Sequence, residues 1–117
     1  MIAIKRAYDL PKHGDGARIL VDRLWPRGVS KEALAADAWL KEVAPSGELR
    51  KWFSHDVTRW QEFEQRYIAE LKKNPDAWQP IVRCAHQGNV TLLYAAKDTE
   101  HNNAVVLERF LLRHLHE

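Results

Sequence analysis

Ile2-Ala3-Ile4-Lys5-Arg6 alternates apolar and polar positions ahead of Ala7-Tyr8, which is the period of a half-buried strand. Pro11, Gly14 and Gly16 then mark an irregular connection. Ile19-Leu20-Val21 is a continuous apolar run, as expected of a strand covered on both faces, and Pro26-Arg27-Gly28 stops it. Ser30 followed by Glu32 predicts one or two helical turns over 31–36. Residues 38–43 read as a short strand, Ala44-Pro45-Ser46-Gly47 as a turn, and Ser46 as the cap of a short helix over 48–53.

The clearest helix follows. Trp60, Phe63, Tyr67, Ile68 and Leu71 share one helical face, with Thr58 and Gln61 at capping-box spacing. Glu62, Arg66 and Glu70 line the outer side four residues apart, where they can pair. Asn74-Pro75 ends this helix and opens another, which Pro80 is expected to interrupt or kink and Gly88 to close. Val90-Thr91-Leu92-Leu93-Tyr94-Ala95 is the second buried-strand pattern. A polar loop, Lys97 to Asn103, leads into a last helix with Ala104, Leu107, Leu111 and Leu115 on its apolar face, widened by Val106 and Phe110. Strands alternating with helices predict the α/β class: a single compact domain over 1–117 with a small, mostly parallel sheet flanked by helices. The order of the strands is not legible.

Composition narrows the function classes. The 117 residues carry 18 basic and 16 acidic side chains, interspersed, for a net charge of +2. That balance is too mild to argue for nucleic-acid binding by bulk charge. No apolar run approaches the roughly 18 residues of a membrane span, and the N-terminus lacks the order of a signal peptide. The single cysteine, Cys84, allows no internal disulfide and fits a reducing compartment, so a cytoplasmic protein is expected. Cys84 itself reads as a small buried hydrophobe. Of the five tryptophans, Trp25 and Trp52 stand among charged residues and are the expected exceptions to core filling.

Two strand ends concentrate polar groups: Asp22-Arg23-Leu24-Trp25-Pro26-Arg27 and Tyr94-Ala95-Ala96-Lys97-Asp98. If the strands are parallel neighbours, both clusters lie at the carboxyl edge of the sheet, where open α/β folds place ligands. The N-terminus of the last helix would attract an anion there, and Arg23, Arg27 and Lys97 would add charge. Asp22 and Asp98 are candidates for proton transfer. The structural alternatives are an N-cap role for Asp98 and an ion pair of Asp22 with Arg23 or Arg27 that pins the turn. A third cluster holds Lys41, Ser46, Arg50, Lys51, Trp52, His55 and Asp56, in which His55 titrates near neutral pH. No second pair stands at metal-ligand spacing, so no metal site is expected. His13, His114 and His116 read as solvated. There is no dinucleotide-binding or phosphate-loop glycine motif, and no tightly bound cofactor is expected.

Val21-Asp22-Arg23-Leu24-Trp25-Pro26-Arg27-Gly28, Ala44-Pro45-Ser46 with Leu49-Arg50 and Trp52-Phe53, and Val90 to Asp98 with Asn103-Ala104 together resemble the YeaO-like family of domain-of-unknown-function proteins. The resemblance runs from Ile4 to Leu115. It implies a small bacterial or archaeal cytosolic α/β protein of a family with no assigned activity. Broader relatives carry a cysteine near the position of Tyr94 and a Cys-His-Arg motif near that of His101-Asn102-Asn103. This chain has neither, so thiol chemistry is not implied for it. A methyltransferase label carried by some members finds no support in the glycine usage.

Two readings follow. The first is an enzyme acting on a small anionic, phosphorylated or nucleotide-like substrate. Arg23, Arg27, Arg50 and Lys97 would hold the anion, Asp22 or Asp98 with His55 would move protons, and Trp25 or Trp52 would exclude water or stack on a ring. The second is a non-catalytic binding module for an anionic metabolite, a nucleic-acid segment or a protein, using the same cations and rings. The expected partner is a small anionic ligand. Nucleic acid stays open, a membrane is not expected, and the oligomeric state is not legible.

Overall fold

The computed structural model describes residues 1–115. His116, expected to be solvated, lies outside them. Among the described residues four strands form one sheet in the order β1-β4-β2-β3, all parallel: β1 (Ile2–Arg6), β2 (Ala17–Leu20), β3 (Ala38–Trp39) and β4 (Val90–Tyr94). β4 is inserted between β1 and β2 and is buried along its whole length. This is why it reads as an unbroken apolar run. Its one polar residue, Thr91, donates its hydroxyl to the carbonyl of Asp15 at 2.7 Å.

The pleat sends alternate residues to unequal layers. Ile19, Val21, Leu92 and Tyr94 join the main core against α2 (Gly47–Phe53), α3 (Trp60–Lys73), α4 (Pro75–Gln87) and α5 (Asn103–Leu115). Leu20 and Leu93 face a smaller cluster with Ala7 and with Leu34 of α1 (Lys31–Leu34), closed by Trp25, Val29 and Trp39. Trp25 is therefore a packing residue of this second layer. Its ring meets Trp39 edge-on at 5.4 Å, and its indole N–H donates to Val29 O at 2.6 Å.

Several local expectations change. The strand over 38–43 is only two residues long and passes into a 3₁₀ turn, Lys41–Val43. Ser46 caps α2 as predicted, accepting from the N–H of Leu49 at 3.1 Å. Thr58 and Gln61 do not form a capping box. Asp56 caps a 3₁₀ turn, Val57–Arg59, that leads into α3, and Thr58 is its donor. Glu62 pairs with Arg66, but Glu70 turns away to Ser46. α4 continues through Pro80, because the missing N–H costs a single helical bond that packing of Trp78 and Ile81 outweighs. Cys84 is exposed, on the outer side of α4. His114 is half-buried: its ring lies 4.4 Å from both Trp78 and Phe110, and its Nδ1 is 2.9 Å from Phe110 O. No described helix is long and apolar enough to cross a membrane.

Candidate functional site at the carboxyl edge of the sheet

The register Leu20↔Leu93 between parallel β2 and β4 carries Val21-Asp22 alongside Tyr94-Ala95. The two polar clusters therefore share the carboxyl edge, and α5 begins beside them. Asp22 joins the three elements. Its Oδ2 accepts from the N–H of Ala95 at 2.9 Å, its Oδ1 accepts from the Asn103 amide at 3.0 Å, and its carbonyl accepts from the Trp39 indole at 2.8 Å. Asn103 is the first residue of α5 and also donates to Val21 O at 3.2 Å. The start of α5, expected to attract an outside anion, holds the chain's own Asp22 carboxylate through the Asn103 side-chain amide, while its Val105 N–H is taken by Asn102.

Burial pushes the Asp22 carboxyl up, and the bonds from Asn103 and Ala95, with the charge of Arg50, work against that rise. Among the described residues neither Arg23 nor Arg27 forms an ion pair, which corrects the expected Asp22 pair. Asp22→Asn places an amide N–H2 against one of two N–H donors. Chemical denaturation at pH 7 should show a loss of about 1–3 kcal/mol, the cost of one unpaired buried donor.

Asp98 organises the loop before α5. Its Oδ1 accepts from the N–H groups of Glu100 (2.9 Å) and His101 (3.0 Å), and its Oδ2 lies 3.0 Å from His101 Nδ1. These contacts, the Glu100 N–H foremost, hold its carboxyl below the usual range. The N-cap expected of Asp98 belongs instead to Asn102, whose Oδ1 accepts from the N–H of Val105 at 3.0 Å and whose amide donates back to Asp98 O at 2.8 Å. The His101 ring stands edge-on to Trp60 at 5.2 Å.

The remaining predicted residues divide. Arg23 leaves the end of β2 and reaches the 44–45 turn, donating to Ala44 O (3.3 Å) and Pro45 O (3.4 Å). Arg50, exposed on α2, is close enough for Asp22 to feel its charge. Arg27 and Lys97 are exposed, and the carbonyl of Arg27 accepts from the Tyr8 hydroxyl. Trp52 is half-buried under the guanidinium groups of Arg66 (4.4 Å) and Arg59 (5.3 Å), so its ring anchors the start of α3. His55 is exposed and left-handed (φ 57°) directly after left-handed Ser54, and so shapes the exit from α2.

Sequence reasoning missed three groups. Arg6, at the end of β1, donates to Ala96 O (3.0 Å) and Ala95 O (3.3 Å), a position set by its register with Tyr94. Asn103 was visible only as the last residue of the polar loop and as part of the family resemblance. Glu70 receives the N–H and hydroxyl of Ser46 at 2.9 and 2.6 Å, while buried Tyr67 donates to Val43 O at 2.6 Å. Burial, with the nearby charges of Asp22 and Glu70, pushes the Tyr67 hydroxyl far up, so it is a fixed donor. Nothing local announces these long-range contacts. Arg23, Glu42, Ser46, Tyr67, Glu70 and Asn74 line a cavity of about 170 Å³ just past the carboxyl edge. Of the nine side chains given a role in the two readings, Arg23 alone lines it, joined by Ser46 of the third cluster.

The family model described as "Inactive DUF488-N3 subclade" matches residues 1–117. The chain is 46% identical over 110 residues to the uncharacterized protein YeaO of Escherichia coli K12, covering 94% of this chain and 96% of that one. It is 36% identical over 110 residues to the uncharacterized protein Rv3073c of Mycobacterium tuberculosis H37Rv, covering 94% and 92%. No solved structure matches the chain significantly.

Proposed function

We propose that this chain, which belongs to the YeaO-like proteins of the Inactive DUF488-N3 subclade, is a non-catalytic binding module that holds a small anionic ligand at Arg23. The observation that carries the reading is the contrast between Arg23 and the two candidate acids. Asp22 and Asp98 have their carboxylate oxygens committed to N–H groups of the fold, so neither is poised to trade protons. Arg23 lines a cavity, makes only two long bonds to carbonyls, and keeps guanidinium N–H groups for a ligand. The subclade's description as inactive points the same way.

Isothermal titration of the chain at low salt with inorganic phosphate and with small carboxylates tests the reading. Saturable binding is expected, weakened about tenfold or more in Arg23→Gln, since charge-assisted hydrogen bonds contribute about 1.5–3 kcal/mol. Arg27→Ala removes an exposed side chain and should leave both affinity and stability within about 0.5 kcal/mol of the parent. Absence of binding by any of these anions, or equal binding by Arg23→Gln, overturns the reading. Salt-steep binding of a single-stranded oligonucleotide that ignores Arg23→Gln would replace it with a nucleic-acid module.

A further inference from the structure

We infer that the anion held at Arg23 is a short monocarboxylate that also carries a hydrogen-bond donor, a hydroxyl or an ammonium, and that Glu70 is the residue that selects it. The inference rests on the anion site at Arg23. Three side chains close on one stretch of backbone, residues 43–46. Arg23 donates to Ala44 O at 3.3 Å and to Pro45 O at 3.4 Å. Tyr67 donates to Val43 O at 2.6 Å. Glu70 accepts from the Ser46 N–H at 2.9 Å and from the Ser46 hydroxyl at 2.6 Å. Arg23 thus takes the carbonyl and Glu70 the N–H of the same peptide, Pro45–Ser46, which sets the two charges one peptide's width apart. Tyr67 and Glu70, three positions apart on α3, are neighbours on its surface. Arg23, Ser46, Tyr67 and Glu70 all line the cavity. Among the described residues no ion pair joins Arg23 to Glu70, so a small molecule can bridge them.

The hydrogen inventory of the lining sets what that molecule must offer. The Tyr67 hydrogen goes to Val43 O, and both Ser46 hydrogens go to Glu70. Apart from the exposed Asn74 amide, Arg23 is the one lining side chain with donors to spare. Acceptor capacity is left over: each Glu70 oxygen takes one hydrogen and has room for a second, as has the Tyr67 oxygen. A ligand that only accepts leaves that side of the cavity unanswered. One that gives its carboxylate to Arg23 and a hydrogen to Glu70 answers both. Charge limits it to a single negative charge. The Tyr67 hydroxyl is pushed up by Asp22 and Glu70 and pulled down by Arg23, so two negative charges and one positive act on the same oxygen. Arg23 is the one basic side chain in the lining, and a dianion would meet Glu70 with no second cation to offset it. The volume, about 170 Å³, lies below the roughly 300–1,000 Å³ of sites for drug-sized ligands, which keeps the molecule short.

The test is isothermal titration of the full chain at low salt with propanoate, 2-hydroxypropanoate, 3-hydroxypropanoate, L-alanine, β-alanine and sulfate. At least one of the four donor-bearing compounds should bind about tenfold or more tighter than propanoate, and the one that does identifies the donor and its position. Sulfate, a dianion without a donor, should bind more weakly than propanoate. Glu70→Gln keeps the size and can still answer Ser46, its oxygen accepting the N–H and its amide donating to the Ser46 oxygen. It should bring the favoured compound to within about threefold of propanoate and strengthen sulfate by about tenfold, the effect of losing one negative charge beside the ligand. The comparison of compounds on the parent chain stands by itself if that variant does not fold. If propanoate matches all four donor-bearing compounds while still depending on Arg23, if sulfate equals the favoured compound, or if folded Glu70→Gln keeps the parent's order, this inference falls while the Arg23 anion site stands. If no compound in the set binds, or Arg23→Gln binds them all as the parent does, both fall.

Discussion

Replacing Arg18 by Met is expected to remove about 3–5 kcal/mol of folding stability, the cost of breaking a buried ion pair from one side. Arg18 is 5% exposed although it lies in a strand. Its Nη1 is 2.5 Å from Asp15 Oδ2, and its Nη2 and Nε donate to Leu34 O at 2.7 and 3.2 Å. That carbonyl, at the last residue of α1, is an end-of-helix acceptor with no intrahelical partner. Lys5 reaches the same carboxylate at 3.1 Å, so β1 and β2 meet at one acid and Arg18 ties α1 to it. Met retains most of the stem volume and drops every one of these bonds. A shift in the urea midpoint corresponding to less than about 1 kcal/mol would show that Lys5 alone suffices for Asp15.

The same acid sets an acid limit. Its carboxyl is lowered from 3.8 to about 2, chiefly by the backbone N–H of Lys12, with burial opposing and with Lys5 and Arg18 assisting. Between those two values the unfolded chain holds a proton that the folded chain does not. The stabilisation is therefore complete above about pH 4 and is lost as pH falls toward 2. In Arg18→Met the loss across that window should be shallower.

Gly16→Ala is expected to be at least as damaging. Gly16 turns the chain from the 3₁₀ turn His13–Asp15 into β2 with φ 66° and ψ −139°, a backbone region that side chains disfavour by about 1–3 kcal/mol. An added Cβ would also overlap the carbonyl of Asn89. That carbonyl accepts the N–H of Ala17 at 2.9 Å and stands immediately before β4. The backbone that must yield is therefore the central strand pairing. A loss above about 3 kcal/mol, or roughly 10 °C or more in melting temperature, is expected for a domain of this size. Gly14→Ala in the same turn meets nothing within 4 Å and serves as the control. Equal melting temperatures for the two variants would remove the steric argument.

Periodic burial is a local property, and where it is strong the sequence was sufficient. β1, β4, α3 and α5 were legible because each buries one face or two against the rest of the molecule, and the residue spacing records it. The pairing of Ser46 with α2 was legible for the same reason, since a cap and its helix are neighbours in the chain. Elements set by contacts far apart in the chain were misread. His114 found Trp78, and Glu70 left its own helix for Ser46; the cap assigned to Thr58 was misread locally, Asp56 two residues earlier taking it.

The candidate site divides along the same line. That polar residues crowd the ends of β2 and β4, and that Arg23 suits an anion, follows from residue types and their positions alone. Tertiary structure decided what those residues do. Parallel pairing of β2 with β4 brought Asp22 to Ala95 and to the first residue of α5, 81 positions away at Asn103. A carboxylate beside a strand end can serve a ligand or the fold, and the sequence leaves that choice open because the two donors lie on other elements. Strand order sets which donors arrive. Here they satisfy Asp22 from within and leave Arg23, one residue on, facing the cavity.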